Sequence, residues 1–267
     1  MRRPVLLILS LLMIGPVGTA HLGADSPYLP ALEDDDLLVI HDYYTLSYSE
    51  KHEQAEWVAY ELTREEVMGP VERSDSFRED LEVTTGSASL KDYRGSGFDR
   101  GHLAPAADMK FSEEAMRDSF FMSNMSPQRP AFNRGIWKQL EALVRDWAYL
   151  EGAIQIVTGP VLTDWTPEGK EASGDLPPGD GRFETIGPEG VSVPNYYHKV
   201  VLDIREPGFK AIGFILPNQR GEAGLEFYAV SVDEVEYATG LDFFPGLPDE
   251  LEESLESALD ISLWSFF

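Results

Sequence analysis

A single run of helical periodicity set among short extended runs restricts what this chain can become. Ile136, Leu140, Leu143, Val144 and Trp147 fall at i, i+4, i+7, i+8 and i+11, an apolar stripe along one face of a helix of about three turns or more. Around it, apolar residues are spaced for strands. These runs are Leu37 to Tyr48, Trp57 to Leu62, Ala153 to Val157, Tyr197 to Leu202, Lys210 to Leu216 and Phe227 to Val232. Ser112, followed by Glu113 and Glu114, is placed to cap a short helix over 112–117. Leu251, Leu255 and Leu259 recur every fourth residue, which predicts an amphipathic C-terminal helix over about 248–263, packed on the body. The stretches Val71 to Gly97 and Thr163 to Glu189 read as loops, the second rich in Pro, Gly and acid. Without internal repeats or a linker after residue 30, one mixed α/β domain over 21–267 is the economical reading.

The first twenty residues differ from the rest. Arg2 and Arg3 precede an apolar run from Val5 to Ile14 and the small residues Gly18, Thr19 and Ala20, the three-part pattern of a signal peptide. That run falls short of the ~20 apolar residues a spanning helix needs. Residues 1–20 are therefore expected to be cleaved after Ala20, exporting a mature chain without a membrane anchor to the periplasm or the medium. No cysteine is present, so disulfides, thiolate metal sites and an N-terminal lipid anchor are excluded. Acidic residues outnumber basic ones 47 to 21, a net charge of −26 that becomes −28 without Arg2 and Arg3. Such a chain repels polyanions at long range. The acidity reads as a solubility device, and 14 arginines against 7 lysines fit work in high salt, where screening shortens electrostatic reach to a few ångströms.

Polar residues concentrate between 91 and 141: Asp99, Arg100, Gly101 and His102, then Asn124, then Asn133 and Glu141. Phosphodiester hydrolysis needs a base for water, cations for the phosphate and a metal for the leaving oxygen. His102 suits the base, since an ordinary imidazole is mostly neutral at neutral pH. In an extended segment Arg100 and His102 share a face, and Gly101 between them admits a close backbone approach. On an ideal helix Asn133 and Glu141 stand about 80° and about 12 Å apart, so Asn133 can ligate a metal directly while Glu141 acts through water. Magnesium suits such oxygen donors. Zinc does not, because the histidines at 21, 41, 52, 102 and 198 have no paired spacing. Each residue also has a plain structural reading: a hydrogen-bonding histidine, an asparagine cap, an Asp–Arg ion pair, solvated arginines at 73, 94 and 134. Residue by residue, the chain is a mixed α/β hydrolase candidate.

In order, however, these residues resemble a family. DRGH at Asp99–His102, SNMSPQ at Ser123–Gln128 and FNRGIWKQLE at Phe132–Glu141 are similar to the DNA/RNA non-specific endonucleases, the endonuclease G-like ββα-metal nucleases. WVAYELT from Trp57, VTGPVL from Val157, FILPN from Phe214 and TGLDFFPGLPD from Thr239 extend the resemblance over nearly the whole mature chain. It implies an α+β fold with a central antiparallel sheet flanked by helices. By the same resemblance His102 is the general base, Asn133 the direct magnesium ligand and Glu141 a ligand through water. Arg100 contacts the phosphate, and Arg73 stabilises the pentacovalent transition state. Asp99 and Asn124 match motif positions and read as positioning residues. The implied products carry 5′-phosphate ends, from DNA and RNA alike. Manganese in place of magnesium, a homodimer and a protecting inhibitor protein are left open, as are a narrower phosphodiesterase for short or single-stranded substrates and a non-catalytic nucleic-acid-binding protein. Six of the twelve arginines left after cleavage (73, 78, 94, 100, 129 and 134) lie in or near the motifs, which predicts a local positive cleft on an acidic body.

Overall fold

The computed structural model describes residues 22–33, 37–167, 183–205 and 208–266. The expected signal peptide over 1–20 and His21 lie outside them. β1 (Leu37–Ile40) and β2 (Thr45–Ser49) form a hairpin, so the loosely alternating run from Leu37 is two short strands rather than one. β3 (Gln54–Thr63) pairs with β2 on one side and, on the other, with a strand from much later in the chain. β4 (Asp99–His102) and β5 (Met125–Gln128) pair only with each other. β6 (Ala153–Pro160), β9 (Tyr196–Asp203) and β10 (Lys210–Pro217) complete the centre of the main sheet. β7 (Glu184–Ile186) and β8 (Val191–Val193) make a separate small pair, and β11 (Ala229–Val230) is a two-residue edge. The main sheet runs β1-β2-β3-β6-β9-β10-β11, antiparallel throughout.

Both faces of this sheet are covered, and the period of two in the strands shows it. Along β3, Val58 and Tyr60 enter one core, while Trp57 and Ala59 enter another. The first core takes Phe132, Trp137, Leu140, Val144 and Trp147 from the helical segment after β5. The second takes Val232, Val235 and Ala238 from the helix Val232–Thr239, and Leu255 from the helix Asp249–Glu256. No helix among the described residues is long and apolar enough to cross a membrane.

The strong helical stripe belongs to Lys138–Glu151, which Gly152 ends at φ 92°. Before it the chain makes a turn at Pro130–Phe132 and a wide π-type turn at Asn133–Trp137, inside which Gly135 leaves helical geometry at φ −109° and ψ −113°. Ser112 caps Glu113–Asp118 as expected, its hydroxyl accepting from the Ala115 amide.

Two expectations are corrected. Of Phe227 to Val232 only Ala229–Val230 is a strand: a 3₁₀ turn at Leu225–Tyr228 leads into β11, and Ser231 then caps a helix with Glu234 closing the box. Secondly, the C-terminal helix stops at Glu256, and Leu259 is 44% exposed. Asp260 instead caps a new 3₁₀ turn at Ile261–Leu263, which diverts the chain.

Candidate active site

β4, β5 and the helical segment after them form one unit, laid on the end of the main sheet. Tyr197 of β9 donates its hydroxyl to the Pro127 carbonyl at 3.0 Å. Asn218, just past β10, accepts from the Arg129 amide at 2.8 Å and donates to the carbonyls of Pro127 and Pro194. The exit from β5 toward the helix is therefore held at Pro127 and Arg129 by buried polar side chains.

His102 ends β4 opposite Met125. The residues that follow it are clamped by Asn124, whose Oδ1 accepts from the Ala104 amide while Nδ2 donates to the carbonyls of Ala104 and Ser119 at 2.9 and 2.8 Å. Asn124 is wholly buried, so its role is positioning. Gly101 is required by shape: a Cβ there would fall 2.1 Å from Cδ of Gln128, the buried side chain on the facing strand. The close approach expected at Gly101 is real, but the group that comes close is a side chain.

Phe77 and Phe120 form an aromatic floor, edge to face at 4.8 Å. His102 packs edge-on to Phe120 at 4.8 Å, Arg100 lies over Phe77 at 4.1 Å, and Arg73 lies over Phe120 at 4.8 Å. Arg73 reaches the site because its loop is pinned to the β4–β5 connection. The Arg78 amide bonds to the Phe120 carbonyl, the Met122 amide bonds to the Arg78 carbonyl, and buried Asp80 accepts from Ser123. Both arginines sought for the phosphate thus stand beside His102. Burial first, and the charges of Arg73 and Arg100 second, hold the imidazole down at about 3, so it is neutral at any working pH. Nε2 is buried without a hydrogen-bond partner, out of reach of solvent.

Asn133 is fixed through Asp99. Its Nδ2 donates to Asp99 Oδ2 at 3.0 Å, and Arg134 holds the same carboxylate with two bonds of 2.8 and 2.6 Å. Burial raises Asp99's pKa, but the bonds from Arg134 and Asn133 outweigh it and keep the group ionised. A carboxylate only accepts, so it takes the amide's NH₂ and leaves Oδ1, a hard neutral oxygen, for a cation. Because Gly135 breaks the helix between Asn133 and Glu141, the ideal-helix separation expected for them does not apply.

Glu141 stands over a polar layer that the sequence reading missed. Tyr60 donates to Asp108 at 2.8 Å, Arg145 pairs with Asp108 at 2.7 Å, and Lys199 is 1% exposed with its Nζ 5.0 Å above the Trp137 ring. Burial pushes the Glu141 carboxyl up, against the pull of Lys199, Arg145 and Arg73. A carboxylate and an asparagine oxygen, both on half-buried residues, suit magnesium, which takes oxygen ligands and keeps waters; manganese fits the same donors.

Of the six arginines expected to line a positive cleft, three are paired with acids. Arg73 pairs with Asp75, Arg78 with Asp118 and Arg134 with Asp99. Arg94, Arg100 and Arg129 form no ion pair among the described residues.

Comparison with known proteins places the fold in a family. A family model described as DNA/RNA non-specific endonuclease matches residues 30–250. The mitochondrial nuclease EXOG of Danio rerio is 32% identical over 88% of the chain, which spans 65% of that protein's length, just under two thirds. A nuclease of Nostoc sp. is 33% identical over 92% of the chain and 88% of its own. Among solved structures, one of an EndoG/EndoGI complex superposes with a TM-score of 0.71 at 30% identity, over 83% of this chain and 90% of that one. The fold is the ββα-metal nuclease fold, α+β with a central antiparallel sheet.

Proposed function

The chain belongs to the DNA/RNA non-specific endonuclease family, and we propose that it is a divalent-metal-dependent nuclease hydrolysing phosphodiester bonds of DNA and RNA, with 5′-phosphate products. The observation that carries this reading is the neutral His102 between Arg73 and Arg100 on one aromatic floor, beside an asparagine oxygen aimed by Asp99. Arg100 and Arg73 hold the phosphate oxygens, and the contacts are to backbone rather than base edges, which accounts for little sequence preference. His102 takes the proton of the attacking water. An imidazole held at about 3 is a weak base in the free protein, but an incoming phosphate offsets the two arginines and raises its basicity where it is needed. Magnesium, held by Asn133 directly and by Glu141 through water, would supply charge stabilisation at the leaving oxygen. The N-terminal pattern supports export as the setting.

Plasmid DNA, long RNA and short oligonucleotides digested with magnesium or with chelator, using wild type and His102→Ala, test this reading. Expected is metal-dependent cutting of both polymers, lowered about 10²–10⁴-fold by the substitution. Equal rates for the two proteins would sink the mechanism. A second reading rests on the three arginines already paired with acids, which leave less positive surface for a long duplex. Efficient cutting of short or single strands, with intact plasmid, would favour that narrower phosphodiesterase.

A further inference from the structure

On the sheet face opposite His102, carboxylates converge. Asp233 and Glu236 stand three apart on the helix Val232–Thr239, so they share a face. Glu256 closes the helix Asp249–Glu256. One carboxylate oxygen from each lies within 4.8 Å of the other two, and Asp242 and Glu252 bear on the same spot. Crowded acids are common on so acidic a chain, and they need not mean anything. Glu256 does, because it is only 7% exposed and its Oε1 is buried without a hydrogen-bond partner. Among the described residues no Lys, Arg or His forms an ion pair with Asp233, Glu236 or Glu256. Acids elsewhere are answered: Glu151 has Lys210 and Arg205, and Asp108 has Arg145.

A buried, unpartnered carboxylate facing two others is costly unless it is neutralised. We propose that Asp233, Glu236 and Glu256 bind a calcium ion that ties the C-terminal helix to the helix Val232–Thr239. Calcium takes about six to eight oxygen ligands in a flexible shell, carboxylates among them, and these three oxygens lie within 4.8 Å of one another, close enough to meet on one ion. Magnesium takes one or two carboxylates beside its waters rather than a cage of protein ligands, and zinc's structural sites are built mainly from nitrogen and sulfur. Glu236 already spends Oε1 on the Phe243 amide at 2.7 Å, which fixes its carboxylate and with it one wall of the site. Both helices pack on the second core, away from Asn133, so the ion is structural and separate from the catalytic metal.

The test is thermal unfolding of the full-length chain stripped with chelator, with calcium added back at constant ionic strength, beside calorimetric calcium titration. Wild type and Asn133→Ala should both gain about 4 °C or more in Tm at saturating calcium. Glu256→Gln, nearly isosteric, should lose that gain and at least tenfold in affinity. Should it fail to fold, Asp233→Asn at an exposed position serves instead. No gain in wild type, an equal gain in Glu256→Gln or Asp233→Asn, or a gain abolished in Asn133→Ala would overturn the proposal.

Discussion

On one side of the main sheet, burial and two arginines press an imidazole down to about 3. On the other, burial and four acids, with Glu236 foremost, push the Glu256 carboxyl up to about 8. The same physics acts with opposite sign in the two places. Each region concentrates one kind of charge around a buried titratable group and leaves it without a protein partner, so each is completed from outside by a ligand of the other sign. On the readings proposed above, that ligand is a phosphate for His102 and a cation for Glu256. The contrast also bears on how a chain of net charge −26 can engage a polyanion. Opposite charges gather at these two spots, and on the proposed reading what substrate meets close to the site is Arg73, Arg100 and the aromatic floor. Bulk charge sets long-range approach, whereas the local arginines set binding once contact is made.

The comparison breaks most visibly if activity answers equally to both faces. Arg100→Ala removes a cation from the phosphate and should lower kcat/KM about 10²–10³-fold, the scale for one lost transition-state donor. Glu236→Gln on the far face should change it less than about twofold. Steady-state kinetics on one oligonucleotide, with both variants at saturating magnesium, checks this. Similar losses from both would mean that the faces do not act separately.

A smaller effect sharpens what the site face does. Asp99 touches no substrate in the proposed scheme, yet it orients Asn133. Asp99→Asn can turn an amide hydrogen toward Asn133 and reverse that side chain, presenting NH₂ where the metal needs oxygen. The magnesium concentration for half activity should rise about 10–100-fold, with kcat at saturating magnesium changed far less. A fall in kcat alone would reassign Asp99 to the chemistry.

What could be read in advance divides along similar lines. His102, Arg100 and Asn133 lie within about thirty residues of one another in motifs that carry their spacing with them, so sequence order alone assembled them. Strands β3, β6, β9 and β10 were legible because apolar residues dominate each run between turn residues. The polar layer under Glu141 was not. Tyr60, Asp108, Arg145 and Lys199 meet only through sheet packing, and no local pattern marks a lysine that will be buried. Phe77 and Phe120 read as ordinary apolar residues, although their stacking on His102, Arg73 and Arg100 builds the site. The π-type turn was hidden because helical periodicity on either side of Gly135 stays in phase for apolar residues. The helix Val232–Thr239 announced itself through Ser231 and Glu234, a capping box, but the apolar run just before it suggested a strand.

The smallest expected effect is on stability, and its sign differs between the faces. His102 has a folded pKa far below the usual 6.5, so below 6.5 the unfolded chain binds the proton the native state refuses. Its contribution to stability is full above 6.5 and is lost as pH falls toward 3. Glu256 has a folded pKa raised from 4.5 to about 8, so its contribution is full below 4.5 and is lost as pH rises through 8. In chelator, His102→Asn should flatten the decline of Tm on the acid side, between pH 7 and 5, and leave the alkaline side unchanged. Glu256→Gln should flatten the decline between pH 6 and 9 and leave the acid side unchanged. Each change should be on the order of a few degrees. His52 and His198, held at about 4 and about 3 chiefly by burial, keep some acid sensitivity in every variant, so the acid effect of His102→Asn is partial. If both substitutions flattened the same limb, the two groups would share one electrostatic environment, and the contrast between the two sites would fail.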